Sequence, residues 1–457
     1  MTSILVKHAC IATVDGSNRI LKDGALYTED DRIRAVGRTE EVLKVASRPE
    51  FVIEGNGKVV LPGLVNTHVH LAQGLLRGLV PDTISLIEWL KDWVWPLQGN
   101  FEGEDGVVSS QLTILEMLNS GTTSFVATSV HTRYNPEAIA EVVLKSGIRA
   151  ALGKQTMDVP GYAEHESILH PGMVEDKERS LKLFMDLYRK WNGKGDRIWI
   201  WLSPRTPGAC SDDLYRELAE IKKEYNTGLT MHLAEVTDDI KYFRSRGTSP
   251  AKFVESFGLV GPKTIYVHCV WFEDEDIEIF ARTGTSVSHN PSSNAKLGSG
   301  IAPIVKMLNR GVNVALGTDG GPSNDSYDMI REMRLASLLQ KVTNLDPKAI
   351  DLLKVLRIAT INGAKAIGVD HMIGSLEVDK KADFIVVDMK RAGLTPTINP
   401  LSNVIYSGTG RDVKDVVIDG QFVKKDWRVL TLNDEEVLKR AEKRAEMLLE
   451  RAGKKPW

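Results

Sequence analysis

The sequence predicts an α/β fold: a (β/α)₈ TIM barrel with a small β-sandwich module built from both chain ends. From about residue 61 to 374, apolar strand-like runs alternate with stretches of helical periodicity, and eight such runs can be counted. Segments rich in Val, Ile and Thr lie on both sides of this region. Strands that alternate with helices are typical of βα units around a parallel sheet. An open doubly wound sheet is the alternative for this pattern.

The eight candidate barrel strands are short and rich in Val, Ile, Thr or Leu. They cover residues 58–68, 122–129, 148–154, 197–203, 227–232, 263–269, 284–289 and 311–319. Two of the intervening helices carry clear end signals. Pro136 suits a first helical turn and Gly147 a stop, while Ser211 is a suitable N-cap for the segment SDDLYRELAEIKKEY.

The flanking β segments at the two ends of the chain have the same Val-, Ile- and Thr-rich composition. We therefore expect them to meet in one module. They cover residues 3–15, 24–37, 51–63, 382–389 and 415–426. After them comes a surface helix that Asn433 would cap, with an acidic first turn and a basic end. The predicted organisation is the N-terminal part of the β module (1–60), the barrel (61–374), the C-terminal part of the module (375–430) and the helix (431–457).

Composition excludes several classes of protein. The chain has 457 residues with 42% hydrophobic content, enough for a large core. A net charge of −3 leaves no basic excess for a nucleic-acid partner. Lys7 and His8 interrupt the N-terminal apolar run, and no stretch approaches ~18 apolar residues, so neither a signal peptide nor a membrane span is expected. Three scattered cysteines do not form a disulfide framework. We expect a cytoplasmic protein.

Polar residues stand at or just after the ends of the predicted barrel strands. They are His68 and His70 after the first strand, His232 and Glu235 after the fifth, His268 after the sixth, His289 after the seventh and Asp319 after the eighth. All strand C-termini of a parallel barrel open on one face. We therefore expect these side chains to converge, although the chain separates them widely.

This residue set suits one metal ion. His68 and His70 are two positions apart on a strand, so both can face the same ion. Together with a third histidine and a carboxylate from the other strand ends they make a site that suits zinc or, alternatively, iron(II). Such a cation lowers the pKa of a water towards ~7. Glu235 would then carry a proton from that water to the substrate.

Each of these residues also has a simpler interpretation. An isolated HxH pair is a weak signal, His232 could be a core histidine, and Asp319 could cap the following helix. Chance placement of four histidines at separate strand ends is improbable in a chain with ten histidines, which favours the shared site. For His289 the alternatives stay open, because it could only fix the polar loop SHNPSSNAKLGSG.

At these residues the chain resembles the amidohydrolase superfamily. The resemblance rests on VLPGLVNTHVH, MHLAE, YVHC, SHNPSSNAKLGSGIAP, LGTDGGPSND and IGSLEVDKKADFIVVD. Within the superfamily it looks like the branch that holds methylthioadenosine/S-adenosylhomocysteine deaminases and triazine hydrolases (melamine deaminase, atrazine chlorohydrolase). The resemblance implies metal ligation by His68, His70, His232 and Asp319, acid–base catalysis by Glu235, and orientation of the water or substrate by His268. Asp319 would assist proton removal, and a homodimer or homotetramer is implied.

A second metal is not expected. Two-metal barrels of this kind need a bridging ligand, typically a carbamylated lysine at the end of the fourth strand. That strand ends in WLSPR, and Arg205 stays protonated and cannot form a carbamate. Lys154 ends the third strand instead, and we interpret it as a structural or substrate-facing amine.

The predicted substrate-binding residues are Gln73, Glu88, Trp89, Arg205 and His289. By resemblance, the glutamate of SLIEWL binds ribose hydroxyls, and Trp89 would stack on a flat ring. Arg205, in SPRTPGACS, stands where nucleoside deaminases carry a histidine and is similar to the PRF element of guanine deaminases. It favours an oxo-substituted ring, unless it is structural and paired with a carboxylate.

The predicted function is hydrolytic deamination of a small aromatic N-heterocycle, a purine- or nucleoside-like ring, a pyrimidine or a triazine, with release of ammonia. The alternative is a triazine-type chlorohydrolase or N-dealkylating hydrolase that uses the same metal site. A non-catalytic assembly protein or a nucleoside-binding protein without turnover would have lost ligands, and none is missing.

Overall fold

A computed structural model describes residues 2–455; Met1 and positions 456–457 of the predicted C-terminal segment lie outside the described residues. Within that range the strands are β1 (Ser3–Ala12), β2 (Ile20–Glu29), β3 (Arg32–Arg38), β4 (Phe51–Glu54), β5 (Lys58–Pro62), β6 (Leu64–Val69), β7 (Thr122–Val130), β8 (Arg149–Thr156), β9 (Ile198–Pro204), β10 (Leu229–Leu233), β11 (Thr264–His268), β12 (Ser286–His289), β13 (Asn313–Leu316), β14 (Phe384–Asp388), β15 (Val413–Ile418), β16 (Gln421–Lys425) and β17 (Arg428–Val429).

The α-helices are α1 (Thr39–Val42), α2 (Leu86–Glu88), α3 (Trp95–Gly99), α4 (Gly103–Asn119), α5 (Pro136–Ser146), α6 (Lys177–Trp191), α7 (Asp212–Glu224), α8 (Thr237–Ser245), α9 (Pro250–Ser256), α10 (Asp274–Thr283), α11 (Pro291–Lys296), α12 (Ile304–Asn309), α13 (Gly321–Asn324), α14 (Met329–Thr343), α15 (Leu352–Ile358), α16 (Ile361–Ile367), α17 (Pro400–Ser407) and α18 (Asp434–Arg451). A π-helical turn over Trp89–Val94 connects α2 to α3. As predicted, Pro136 begins α5, and the side chain of Ser211 caps α7 by accepting a hydrogen bond from the Leu214 amide.

Strands β6 to β13 form the predicted barrel. They lie side by side in chain order, and each pair is parallel. The first and last strands meet where the Asp319 amide donates to the His68 carbonyl (2.9 Å) and the Thr67 hydroxyl donates to the Leu316 carbonyl (3.0 Å). These contacts nearly close the cylinder and bring residues at opposite ends of the barrel sequence together.

The predicted first strand, 58–68, is two strands that belong to different sheets. Strand β5 pairs with β1 and β14 in the small module, and only β6 enters the barrel. The break is at Gly63, where an added Cβ would lie 2.0 Å from Thr123 Oγ1. The backbone can therefore pass from one sheet to the other only because this residue has no side chain.

The small module is built from both chain ends, as predicted. Its strands are hydrogen-bonded as one continuous mixed sheet in the order β17-β16-β15-β14-β5-β1-β2-β3, with β4 also paired to β1. Nine strands of the described residues take part in this sheet. Apolar side chains from both termini share one core, among them Ile4, Leu26, Phe384 and Val417.

Buried ion pairs attach the module and the terminal helix to the barrel. Arg149, at the start of β8 and fully buried, donates to both carboxylate oxygens of Asp383 (2.8 and 3.0 Å) and also pairs with Asp419. Helix α18 packs on α4, where Arg444 Nε lies 2.5 Å from the carboxylate of buried Asp105. In the described part of the chain, every helix is too short or too polar to cross a bilayer.

Candidate active site

The predicted ligands converge at the C-terminal mouth of the barrel. His68 and His70 lie at the end of β6, His232 on β10, and Asp319 just after β13; all four are buried. His70 Nε2 and His232 Nε2 are 3.1 Å apart, and His68 Nε2 and His70 Nε2 are each 3.3 Å from Asp319 Oδ1. The strand ends therefore bring four donor atoms to one point.

The protonation of this cluster suits a metal ion. Burial lowers the pKa of His68 and lowers the pKa values of His70 and His232 well below their usual value, which favours the neutral imidazoles that ligate metals. Burial alone would raise the pKa of Asp319, but His68 and His70 outweigh it and hold that pKa well below its usual value. Among the described residues, neither ring nitrogen of fully buried His68 has a hydrogen-bond partner of suitable geometry. Buried polar atoms normally have partners, and three imidazoles with a carboxylate are a donor set that zinc prefers.

The backbone conformation of two site residues is unusual. His268 has a φ of 74° and Asp319 a φ of 69°, in the left-handed region that non-glycine residues rarely adopt. Such residues cost about 1–3 kcal/mol each and cluster at functional sites. His268 is the last residue of β11, and Asp319 lies three residues after the end of β13.

Glu235 and His268, the predicted acid–base residues, lie side by side in the site. Glu235 Oε2 lies 3.6 Å from His268 Nε2, and burial raises the pKa of Glu235 to about 7. The Glu235 amide donates to Asp239 Oδ2 (2.7 Å), which fixes the loop after β10. His268 Nδ1 donates to Asn294 Oδ1 (2.8 Å), because an amide oxygen can only accept. His268 Nε2 therefore faces the carboxylates of Glu235 and Asp319.

A cavity opens beside these groups. Aromatic and aliphatic side chains share its wall with polar and charged groups. Its lining includes Gln73, Leu86, Trp89, Leu90, Trp95, Tyr162, Arg205, Thr206, Glu235, His268, Leu297 and Asp319. The tryptophan and tyrosine rings in its wall suit a flat heterocycle.

Arg205 is a buried cation that faces this cavity. No carboxylate of the described residues lies within 4.0 Å of its guanidinium, and its Nε has no hydrogen-bond partner. The guanidinium lies 5.8 Å from the centre of the Trp95 ring. The structure therefore does not support the structural alternative in which Arg205 pairs with a carboxylate. Its carbonyl oxygen lies 3.3 Å from His232 Nδ1, which orients that ring with Nε2 towards the cluster.

Of the remaining predicted substrate-binding residues, two line the cavity and two do not. Gln73 and Trp89 line the cavity, but Glu88 is exposed and accepts hydrogen bonds from the Ser85 amide and hydroxyl (2.9 and 2.8 Å), so it caps its own helix here. His289 is buried outside the cavity lining, and burial lowers its pKa to about 3. The substrate-binding roles of Glu88 and His289 stay predictions.

Of the two interpretations of Lys154, the structure supports the structural one. The side chain is buried, and its ammonium donates to Glu175 Oε2 (2.9 Å) and to Ser180 Oγ (3.0 Å). It does not line the cavity beside Glu235.

Several site residues were not predicted. Ser293 donates to Asp319 Oδ2 (2.6 Å), and Asn294 accepts from His268. Both belong to the motif SHNPSSNAKLGSG. The position of this polar motif at the end of β12 was the available signal in the sequence. Trp95 and Tyr162 line the cavity from outside the barrel strands. Strand periodicity carries no information about such residues.

Comparison with known proteins agrees with this geometry. The sequence pattern of the amidohydrolase family matches residues 59–423. The chain belongs to the amidohydrolase family. It is 38% identical over 454 residues to a 5'-deoxyadenosine deaminase of Methanosarcina mazei, covering 99% of both chains. It is 36% identical over 440 residues to a 5-methylthioadenosine/S-adenosylhomocysteine deaminase of Halothermothrix orenii, covering 95% of this chain and 97% of the relative.

Solved structures of the family are also similar. An adenosine deaminase from Xanthomonas campestris with bound zinc superposes with a TM-score of 0.90 at 27% identity, covering 98% of both chains. An atrazine chlorohydrolase from Arthrobacter aurescens complexed with zinc has a TM-score of 0.86 at 24% identity, over 97% of this chain and 100% of that one, which shows the shared fold. The chain is therefore a hydrolase that acts on C–N bonds of cyclic amidines, as predicted, and has a divalent-metal site.

Proposed function

We propose that this amidohydrolase uses zinc to deaminate a purine-type heterocycle, with adenosine-type nucleosides as the first candidate substrates. The observation that carries the proposal is Glu235, whose pKa burial raises to about 7, beside His268 in a cavity that ends on the three-histidine, one-aspartate cluster. The relatives named for 5'-deoxyadenosine and methylthioadenosine deamination support the choice of substrate class.

The cluster would hold the cation, and Glu235 would move protons. A divalent cation bound by His68, His70, His232 and Asp319 would supply the charge that acidifies the attacking water. With a pKa near 7, Glu235 is available in both protonation states at neutral pH. It would take a proton from the water and deliver it to the ring nitrogen beside the aminated carbon.

His268 and Asp319 complete the proton transfers. His268 Nε2 lies 3.9 Å from Asp319 Oδ2, so the two side chains would accept the second proton of the water and return it to the departing amine. One C–O bond forms and one C–N bond breaks, and the products are an oxo-heterocycle and ammonia. The ring would lie along Trp89 and Trp95, which offer flat apolar faces.

Arg205 favours a second substrate class, the oxo-substituted aminated rings. A buried guanidinium without a carboxylate partner is costly unless a ligand supplies an acceptor. Its direction into the cavity suits a ring carbonyl. The exposed position of Glu88 agrees with this class, since in this conformation its carboxylate cannot bind a ribose.

A screen of ammonia release tests the proposal. Metal-loaded protein would be assayed with 5'-deoxyadenosine, methylthioadenosine, guanine, aminopterins and melamine, beside elemental analysis for zinc and iron. We expect turnover of one purine class and about one zinc per chain. Chloride or alkylamine release from triazines with no ammonia from any purine would overturn it in favour of the predicted alternative. Light scattering would test the predicted homodimer or homotetramer.

The Arg205→His variant separates the two substrate classes. If Arg205 binds a ring carbonyl, the exchange lowers kcat/KM for oxo-substituted rings and leaves or raises that for adenosine-type rings. Equal losses for both classes would show that Arg205 does not select the substrate.

A further inference from the structure

The short helix α11 brings two side chains to the active site. Ser293 Oγ donates to Asp319 Oδ2 (2.6 Å), and Asn294 Oδ1 accepts from His268 Nδ1 (2.8 Å). Both side chains are at most 1% exposed. One element thus orients a predicted metal ligand and a predicted proton acceptor at the same time, so its position relative to Asp319 decides the geometry of both.

Glu332 connects α11 to the segment that carries Asp319. It lies on α14 and is 1% exposed. Its Oε2 accepts from the Ser292 amide (3.3 Å) and its Oε1 from Asn324 Nδ2 (2.8 Å). The same Asn324 nitrogen donates to the carbonyl of Thr318, the residue before Asp319 (2.7 Å). A single carboxyl group therefore joins the loops that follow β12 and β13.

The free-energy cost of burying the Glu332 carboxyl indicates that this residue serves to position the two loops. Among the described residues, no lysine, arginine or histidine nitrogen lies within 4.0 Å of the Glu332 carboxyl. Burial raises its pKa to about 7. A buried carboxyl without a cation partner stabilises a fold less than an apolar side chain of similar volume would. What it offers is two acceptors at a fixed separation, one for each loop.

We propose that Glu332 is a positioning residue for the reaction of this site. By holding α11 against the Thr318–Asp319 segment, it places Ser293 and Asn294 so that Asp319 and His268 keep the orientation that metal binding and proton transfer need. For its kinetic consequence the inference rests on the proposed function; its consequence for metal binding does not.

Glu332→Gln tests this directly. The substitution keeps the volume and one acceptor oxygen but turns an N–H group towards the second donor, so one of the two loops is released. Loss of such an outer partner typically costs about 10–100-fold in metal affinity or activity. We expect kcat to fall by about 10–100-fold with KM changed by less than about twofold, cobalt(II) to bind more weakly, and the visible bands of the cobalt(II)-loaded protein to shift.

Asp328→Asn is the matched control. Asp328 lies next to α14, is also a buried carboxyl with backbone donors, and accepts from the Ile330 and Gly410 amides (2.9 and 2.7 Å) rather than from the active-site loops. We expect it to lower Tm while kcat, cobalt affinity and the cobalt spectrum stay unchanged. If Glu332→Gln likewise changes only Tm, Glu332 is structural and the proposal is overturned.

A second variant tests the proposal even if Glu332→Gln fails to fold. Ser293→Ala removes the hydroxyl that touches Asp319 and leaves Glu332 intact, so it should reproduce the weaker cobalt binding and the spectral shift. Unchanged cobalt affinity and spectrum in Ser293→Ala would refute the proposal. Should the wild type deaminate none of the screened substrates, the cobalt measurements still decide the role of Glu332 independently of the proposed function.

Discussion

Replacing Glu235 by glutamine isolates the acid–base function from metal binding. The two side chains have the same shape, and only the titratable proton is lost. The carboxylate contacts His268, at 3.6 Å, and belongs to neither potential metal-binding group of the cluster. The amide of residue 235 would still donate to Asp239, so the loop after β10 should keep its conformation. We expect Glu235→Gln to retain the metal and to lose most of the activity.

The size of the loss follows from what the group does. A positioned general acid–base residue contributes roughly 10²–10⁴-fold to the rate. Each factor of ten is about 1.4 kcal/mol, so kcat should fall by the equivalent of about 3–5 kcal/mol. Glu235 is buried, and solvent does not take over its proton transfer easily. The upper half of this range is therefore the better expectation.

The pH profile provides the diagnostic signature. Burial raises the pKa of Glu235 to about 7, and the carboxylate form is the one that accepts the proton of the water. Wild-type kcat/KM should therefore decline on the acid side, with a midpoint at or below about pH 7, since a bound cation nearby favours the carboxylate. The residual activity of Glu235→Gln should lack this limb.

Ammonia release and elemental analysis are measured side by side on both proteins. Glu88→Gln is the control, because Glu88 is exposed and caps its own helix, and we expect it to keep the same acid limb and metal content. A Glu235→Gln variant that retains more than a tenth of the wild-type rate, or that loses its metal, would refute the assigned role.

Three further predictions concern the metal, the attachment of the β module and acid stability. His232→Ala should abolish both bound metal and turnover, since it removes one of the donor atoms that meet at the barrel mouth; full activity in metal-free protein would contradict the scheme. Arg149→Met leaves the buried carboxylate of Asp383 without its ion-pair partner and should lower the free energy of unfolding by about 3–5 kcal/mol in urea titrations. Exposed Arg34→Met should cost less than about 1 kcal/mol. Burial lowers the pKa of His131 from 6.5 to about 4. Between these two pH values the unfolded chain therefore binds a proton that the folded chain does not. The free energy of unfolding falls as the pH drops from about 6.5 towards 4. In His131→Asn, the fall in unfolding free energy between pH 6.5 and pH 4 should be smaller by up to about 3 kcal/mol. If unfolding free energy depends on pH in the same way in both proteins, His131 does not cause the loss of stability.

The sequence predicted the barrel and the candidate metal site because both depend on local rules. Strand-like runs identify themselves by composition, and the carboxyl ends of parallel strands must open on one face. His68, His70, His232 and Asp319 were therefore predictable as neighbours without any knowledge of loops. The end of the first barrel strand shows the limit: nothing local in 58–68 reveals that β5 and β6 separate at Gly63, since the clash that requires glycine there is with Thr123.

Side chains outside the strand ends were less predictable. Lys154 could be assigned to Glu175 only once the loop after β8 was placed, and Arg205 could be recognised as unpaired only when every nearby carboxylate was known. Ser293 and Glu332 have no chemical signature in sequence, since serine and glutamate are common on surfaces. Their importance comes from distances of 2.6 to 3.3 Å to groups on other elements.

By itself the amino-acid sequence determined the order of strands and helices, the residues at the strand ends and thus the class of chemistry. Tertiary structure alone decided which of those residues touch, how burial sets their protonation and which cations remain unpaired. The physical reason is range: periodicity and end signals act over a few residues, whereas desolvation and hydrogen bonding depend on neighbours that the chain brings from far away.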